Sequence, residues 1–383
     1  MSDIDIHNDS FTAINEEINT RLTALEGMGG GENHLIYPQK WATGIGTVDD
    51  PWVNDCIQKA YNACPAGGTI YLRAGYYIAE TATEILTITK SINVIGEGIG
   101  KTFLVTSTAH GIYIGDTATD YVTLKGFTID GTAQEDNTNS GLYIVESNYS
   151  QFIDLEIKEC GKYGQAVGEK NNYSLYQNIH AHDNYRHGMH PGTNLLGWNS
   201  YNTYRDLYLY DNGSAGISDV GNQVYTDEWQ YNVYDNIHAW GNTSPGIEID
   251  NQRGATITNC FAYGNGTSGF SFDGLKDSHI NNCITRENNY YGLYLLNSKN
   301  INITNILAKS NKSGIRINDC SCMALTACQL YDDTDIPLQE YGLMVFGESM
   351  GISLLNCKLT PNKNGAIYNP NSLSIGECPC NIL

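Results

Sequence analysis

From about residue 85 onward the chain alternates apolar and polar residues in short runs bounded by Asn, Asp and Gly. One set of runs aligns as NIHAHDN (178–184), DLYLYDN (206–212), NIHAWGN (236–242), NCFAYGN (259–265), NCITREN (282–288) and NILAKSN (305–311). A second set aligns on glycines 141, 164, 188, 216, 246, 269, 292, 314, 342 and 365, mostly 22 to 24 residues apart, with three longer steps of 28, 30 and 28. Period-2 alternation predicts strands, and two short strands per unit, one every ~11 residues, predict one coil of a parallel β-solenoid per unit. The final Asn of the first set predicts a stacked ladder at a turn. Inward positions predict apolar stacks, with Cys260 above Cys283 as core filler.

The chain before residue 85 is different. Phe11, Ile14, Ile18, Leu22 and Leu25 recur at helical spacing, followed by GMGGG. This predicts a short helical stalk and linker over residues 1–30, with residues 11–25 as an assembly segment for a homotrimer. A second helix is predicted at about 51–63, capped by Asp49 or Asp50 with Pro51 at its first position. It would close the N-terminal end of the solenoid, where strand edges are otherwise exposed. Residues 31–383 thus form one domain, with coils from about 85 to 375.

The glycine register exposes an irregularity. Positions +1 and +3 after each glycine should point inward and +2 outward. Leu142/Ile144, Ile247/Ile249, Phe270/Phe272 and Leu293/Leu295 obey. Three consecutive coils fail, at Gln165, Pro191 and Asp219. Local rules tend to fail at functional sites. The segment NYRHGMHPGTN (184–194) lies inside this break and carries two histidines.

Stacked coils bring outward residues together: Tyr163, Glu169, Arg186, His187, His190, Ser218, Glu248 and Asp250. Glu146 and Glu169 are expected to share one column, as are Asp250 and Asp273. Catalytic candidates are therefore Tyr163, His187, His190, Asp219 and Glu248. Substrate-binding candidates are Arg186, Glu169 and Asp250, with Tyr210, Trp240 and Tyr263 from an aromatic column that begins at His182. Trp229, a further substrate-binding candidate, lies with Trp198, Asp227 and Glu228 in insertions beside the same coils. Asp250 and Asp273 are candidate ligands for Ca2+. A zinc site from His180, His182, His187 and His190 is disfavoured, because the coil puts the first pair on a different face from the second.

Composition narrows the chemistry. Lys plus Arg is 21 against 42 Asp plus Glu, a net charge of −21. Nucleic acid and anionic membrane surfaces are excluded, since both need a basic face. An acidic polysaccharide would need local Arg or His, or bridging cations. No run of 18 apolar residues occurs, so no transmembrane helix is expected. The N-terminus has neither the basic nor the apolar segment of a signal peptide, and an extracellular or virion-associated location is expected by another route. The 11 cysteines include a C-terminal pair, Cys378 and Cys380, able to form a clip.

PAGGTIYLRAGYY after a helix, then VIGEGIGKTFL, then Asn/Gly-rich coils, resembles the pectate-lyase-like superfamily. The segment from about 48 to 320 is most similar to alginate-type C5-epimerases and phage tail-spike depolymerases. The resemblance implies an all-β, single-chain right-handed parallel β-helix acting on polysaccharide. It does not choose the reaction, because lyases, hydrolases, epimerases and non-enzymes share the motif. The epimerase motif Tyr-Gly-Phe-Asp-Pro-His aligns here with YGQAVGE: Tyr163 is kept, but Ala166 and Gly168 replace the aspartate and histidine. β-Elimination of a uronate chain through the histidines, hydrolysis through Asp219, Glu248 and Asp250, and a non-catalytic glycan-binding or appendage role all stand open.

Overall fold

The computed structural model describes residues 35–53, 55–79, 84–106, 109–115, 119–132, 139–192, 199–220, 230–335 and 337–370. The chain is a right-handed parallel β-solenoid of about 11 turns. Its strands form a 12-stranded and a 19-stranded sheet. In one turn, Leu142–Glu146 belongs to the smaller sheet and Gln151–Lys158 to the larger. The next turn repeats this with Gln165–Lys170 and Leu175–His182, each paired in parallel with its predecessor.

The long strands are bent at one residue. Asp154, Asn178, Asp206 and Asn236 have φ of 53, 51, 56 and 54°. Asn and Asp tolerate this left-handed geometry because their short side chains bond locally. Asn178 Nδ2 donates to Asp154 Oδ1 at 2.8 Å, and Asn236 Nδ2 donates to Asp206 Oδ1 at 2.8 Å. The bend splits the larger sheet, so each turn presents three faces.

The predicted asparagine ladder is present and buried. Asn184, Asn212, Asn242, Asn265 and Asn311 are each 1% exposed, and Asn288 is 3%. From Asn184 to Asn288 each backbone N–H donates to the Oδ1 of the next rung, for example Asn212 to Asn242 at 3.2 Å. The side-chain amide donates to the same oxygen, at 2.9 Å for that pair. Buried amides are tolerated only when satisfied this way. The recurring glycine has an equally local cause. A Cβ on Gly164, Gly188 or Gly216 would lie 2.4, 2.7 or 2.6 Å from the carbonyl oxygen of the glycine one turn on.

The N-terminal helix is shorter than expected, Cys56–Ala63. Its N-cap is Asp55, in left-handed geometry, rather than Asp49 or Asp50. Trp52 instead pairs with Tyr77 as an isolated parallel bridge, its ring 4.7 Å away, and Val53 pairs with Thr43. Tertiary pairing overrides the Pro51 helix-start signal. Buried Ile57, Ala60 and Tyr61 face the first turn, where the Tyr61 hydroxyl accepts the Thr89 N–H at 2.7 Å. The stalk at 1–30 and the Cys378–Cys380 clip lie outside the described residues. Cys260 and Cys283 are buried and unpaired, as core filler should be.

Another ladder escaped the pattern reading. Tyr121, Tyr149, Tyr173, Tyr201 and Tyr231 all have positive φ, from 49 to 60°. Their rings stack in sequence at 4.8 to 5.4 Å. No simple rule puts tyrosine in left-handed backbone.

The break at Gln165, Pro191 and Asp219 is an interior feature. All three side chains follow the predicted parity and point inward. Phe152, Tyr176, Tyr204 and Tyr234 stack across from them at 4.8, 4.9 and 5.2 Å, fully buried. The Tyr234 hydroxyl donates to Asp219 Oδ2 at 2.5 Å and approaches Gln252 Oε1 at 3.1 Å. Asp219 Oδ1, the Tyr204 hydroxyl and both polar atoms of Gln165 have no protein partner. Burial pushes the Asp219 carboxyl up to about 6, against hydrogen bonds from Tyr234 and Gln252 that favour its ionised form. A carboxyl raised on folding stabilises below its unfolded pKa, 3.8. That contribution is lost as pH climbs through the folded value, by about 3 kcal/mol in total. Asp219→Asn removes the titration. Denaturant melts of both proteins should therefore show the variant gaining about 2 kcal/mol on wild type between pH 4 and pH 7; a gap independent of pH would refute the assignment.

Candidate functional site

The smaller sheet carries the site. Strand register lines up one outward column: Tyr113, Tyr143, Ala166 and His190 on successive turns, then Ser218, Glu248, Ser271, Tyr294 and Arg316. The residue just before each glycine sits at the entrance to this sheet, and Tyr163 and His187 occupy two such positions.

Three of the predicted groups converge. The Tyr163 ring is 5.4 Å from His187 and 4.8 Å from His190, and the two imidazoles are 5.1 Å apart. Backbone from the next turn sets both tautomers. The Ala215 N–H donates to His187 Nδ1 at 3.2 Å, so that nitrogen bears no proton and Nε2 carries it. His190 Nδ1 lies 2.9 Å from the Ser218 carbonyl oxygen, which only accepts. His190 therefore donates from Nδ1 and keeps a lone pair on Nε2. Burial lowers both histidines: His187 to about 3, with help from the neighbouring His190 and Arg186, and His190 below the ordinary value against the Ser218 bond. Both rings are neutral near pH 7.

Two cations border the rings. Arg186 acts electrostatically on His187. Lys162, which pattern reading missed, places its ammonium 4.9 Å from the centre of the Tyr163 ring and opposes protonation of His190 and His110. Lys162 belongs to a turn rather than to the alternating strands, so parity gave no reason to single it out.

The carboxylates divide differently from expectation. Asp219 is inside the solenoid, 1% exposed, and does not reach the face that carries the histidines. Its +3 parity already placed it inward, and the partner that rationalises it there is the Tyr234 phenol. Glu248 and Asp250 stay outward on Ile247–Asp250, and Asp250 pairs with Asp273 as expected. Asp250 is pushed up to about 7 by burial, then by Glu248 and Asp273. Glu248 stands two rungs from His190, about 10 Å by strand spacing.

Other expectations need correction. Glu146 pairs with Lys170, not Glu169, because the register shifts between Val167 and Lys170. One extra residue in a bulge breaks simple column counting. The Glu169 side chain is outside the described residues, as are Trp198, Asp227, Glu228 and Trp229. Tyr210, Trp240 and Tyr263 form the expected column on the strands that lead into the asparagine ladder, in the larger sheet. His182, Tyr210, Trp240 and Tyr263 stack at 4.5, 4.5 and 5.8 Å, with rings within 6° of parallel. Arg286 covers the far end at 5.5 Å. Their faces are occupied by one another, and a sugar needs a face. His180 and His182 lie on that sheet too, apart from His187 and His190.

Among the described residues, no group of three or more His, Cys, Asp or Glu is arranged to hold a metal. Calcium takes roughly six to eight oxygen donors. Asp250 and Asp273 offer a start, but Asp250 Oδ1 already accepts the Asp273 N–H at 3.2 Å, and Asp273 Oδ1 accepts Asn297 Nδ2 at 2.9 Å.

Known proteins agree with this architecture. The family described as "Right handed beta helix region" matches residues 220–378. Pectate lyase PEL9 of Emericella nidulans is 29% identical over 218 residues, 56% of this chain and 48% of that protein, so the chain spans about half the length of this relative. The A-module of the mannuronan C-5 epimerase AlgE6 of Azotobacter vinelandii superposes with a TM-score of 0.66 at 15% identity, covering 88% of this chain and all (100%) of that one. The Dettilon tailspike protein superposes with a TM-score of 0.57 at 14% identity, covering 88% of this chain and 68% of its own. The two structural likenesses speak for the fold. Taken with the strand register, these matches show a right-handed parallel β-helix fold, similar to that of a pectate lyase, a mannuronan epimerase module and a phage tailspike.

Proposed function

We propose that the protein cleaves a uronate-containing polysaccharide by β-elimination at the Tyr163–His187–His190 cluster. The observation that carries this reading is the Ser218 carbonyl on His190 Nδ1, which leaves a neutral, oriented Nε2 lone pair beside a phenol. His190 Nε2 takes the C5 proton. The C4–O bond breaks, a C4=C5 double bond forms, and the Tyr163 hydroxyl supplies a proton to the departing oxygen. Lys162 and Arg186 offset the charge that builds on the carboxylate as C5 loses its proton. His187, with its Nε2 proton, serves as a donor to the sugar. Relatives that include a pectate lyase and a mannuronan epimerase support an acidic substrate. By the same reading the protein works outside the cell or on a virion, and residues 11–25 assemble it.

A hydrolase reading has its own observation. Asp250 is held up to about 7 beside Glu248, and one protonated and one ionised carboxyl are what hydrolysis requires. Mass spectrometry of products separates the two. Unsaturated fragments, lighter by a water than hydrolysis fragments, are expected. Fragments that have gained water would move the chemistry to Glu248 and Asp250, and binding without cleavage would make the face a recognition surface.

His190→Ala should lower kcat by about 10²- to 10⁴-fold with little change in substrate binding. The pH profile follows from the lowered His190. A base is active when unprotonated, so kcat/KM should rise with pH with its midpoint below 6.5, the ordinary histidine value. A rate still climbing through neutral pH would point to a different base.

A further inference from the structure

Charge is uneven along the face that carries the histidines. On the N-terminal side of His190 stands Lys162, Arg186 shares the turn of His190, and Lys170 pairs in register with an acid, Glu146. Another acid on that side, Glu84, acts on His110. On the C-terminal side come Glu248, Asp250 and Asp273. The next cation in the column is Arg316, already engaged by the rings of Tyr291, Tyr294 and Phe346 at 5.2, 5.2 and 4.5 Å.

The N-terminal side also repeats the chemistry of the site. His110 stacks on Tyr143 at 4.7 Å, and Tyr143 stacks on Tyr113 at 5.7 Å. His110 Nδ1 accepts the Ser140 N–H at 2.9 Å, just as His187 accepts that of Ala215. Both rings therefore carry their proton on Nε2. Tyr113, Tyr143, Ala166 and His190 are successive rungs, so the two sets are joined along one line about 14 Å long.

We infer that the acidic chain binds asymmetrically: it extends from His190 toward the N-terminal rungs, over Lys162, Tyr143, His110 and Tyr113, while Glu248, Asp250 and Asp273 repel uronates from the C-terminal rungs. The inference rests on the acidic-substrate reading above. A uronate seated at the Glu248 rung meets three carboxyl groups, and like charges in a partly desolvated cleft cost far more than on an open surface. A uronate at the Tyr143 rung meets an ammonium, an imidazole N–H and phenol hydroxyls. Only a short stretch of substrate fits beyond the reacting bond, so cleavage occurs near one end of the chain and releases short products.

The test is calorimetric titration of the full chain with size series of α-1,4-linked galacturonate and β-1,4-linked mannuronate oligomers, alongside product sizing. Tyr143→Ala and His110→Gln should each weaken long oligomers about ten-fold and leave the shortest unchanged. Glutamine at 110 keeps an acceptor for the Ser140 N–H, so that variant tests the idea even where Tyr143→Ala disturbs packing. Glu248→Gln combined with Asp250→Asn should strengthen long oligomers about ten-fold and lengthen the products. Equal weakening of short and long oligomers by His110→Gln overturns the inference, as does weaker binding in the carboxylate variant. Should no oligomer be cleaved while length-dependent binding and its His110 dependence persist, the elimination reading fails and the asymmetry stands. If no acidic oligomer binds, both fall.

Discussion

Among the described residues, each strand in the interior of the solenoid is hydrogen-bonded to its counterpart one turn before and one turn after. A side chain therefore has its own equivalents as nearest neighbours, about 4.8 Å away. That constraint decides which residues are tolerable. Asparagine works at a buried corner because each amide meets an identical amide with a donor and an acceptor to match. Glycine is needed where consecutive backbones touch. Aromatic rings are welcome because identical flat rings stack. Carboxylates are not, and the raised Asp250 beside Glu248 and Asp273 reports that cost.

The same turns carry two polar groups of opposite character. Inside, Asp219 meets buried phenols and has one oxygen with no protein partner. Outside, Tyr163, His187 and His190 share a surface with Lys162 and Arg186. The interior group strains the fold as pH rises, and the exterior one offers chemistry. Pattern reading merged them because both interrupt the apolar alternation at the same places. They are separated by side-chain direction, which is a matter of parity in a strand.

Orientation of the outer group comes from the next turn along. One backbone N–H and one backbone carbonyl, 28 residues further in sequence for each histidine, assign opposite tautomers to neighbouring imidazoles. A base and a proton donor thus arise from two copies of one residue type, without any carboxylate partner. On the proposed reading, the strongly acidic molecule attracts an acidic polymer because the lysine and arginine are local to the rings while much of the negative charge is elsewhere.

The repeat period, the glycine and asparagine columns and the inward–outward parity were legible in the chain alone, because a solenoid converts sequence spacing directly into spatial adjacency. Tyr163, His187 and His190 were legible for the same reason. Parity had also turned Asp219 inward, yet only the tyrosine stack across the core shows why an acid belongs there. The bulge that pairs Glu146 with Lys170 shifts the register by one residue, which no column count foresees. The short N-terminal helix yields to Trp52 pairing with a strand distant in sequence. Lys162, the tautomers and the uneven charge along the face all depend on which atoms of separate turns meet. Local spacing determines the coil, while contacts between coils determine what each polar group can do.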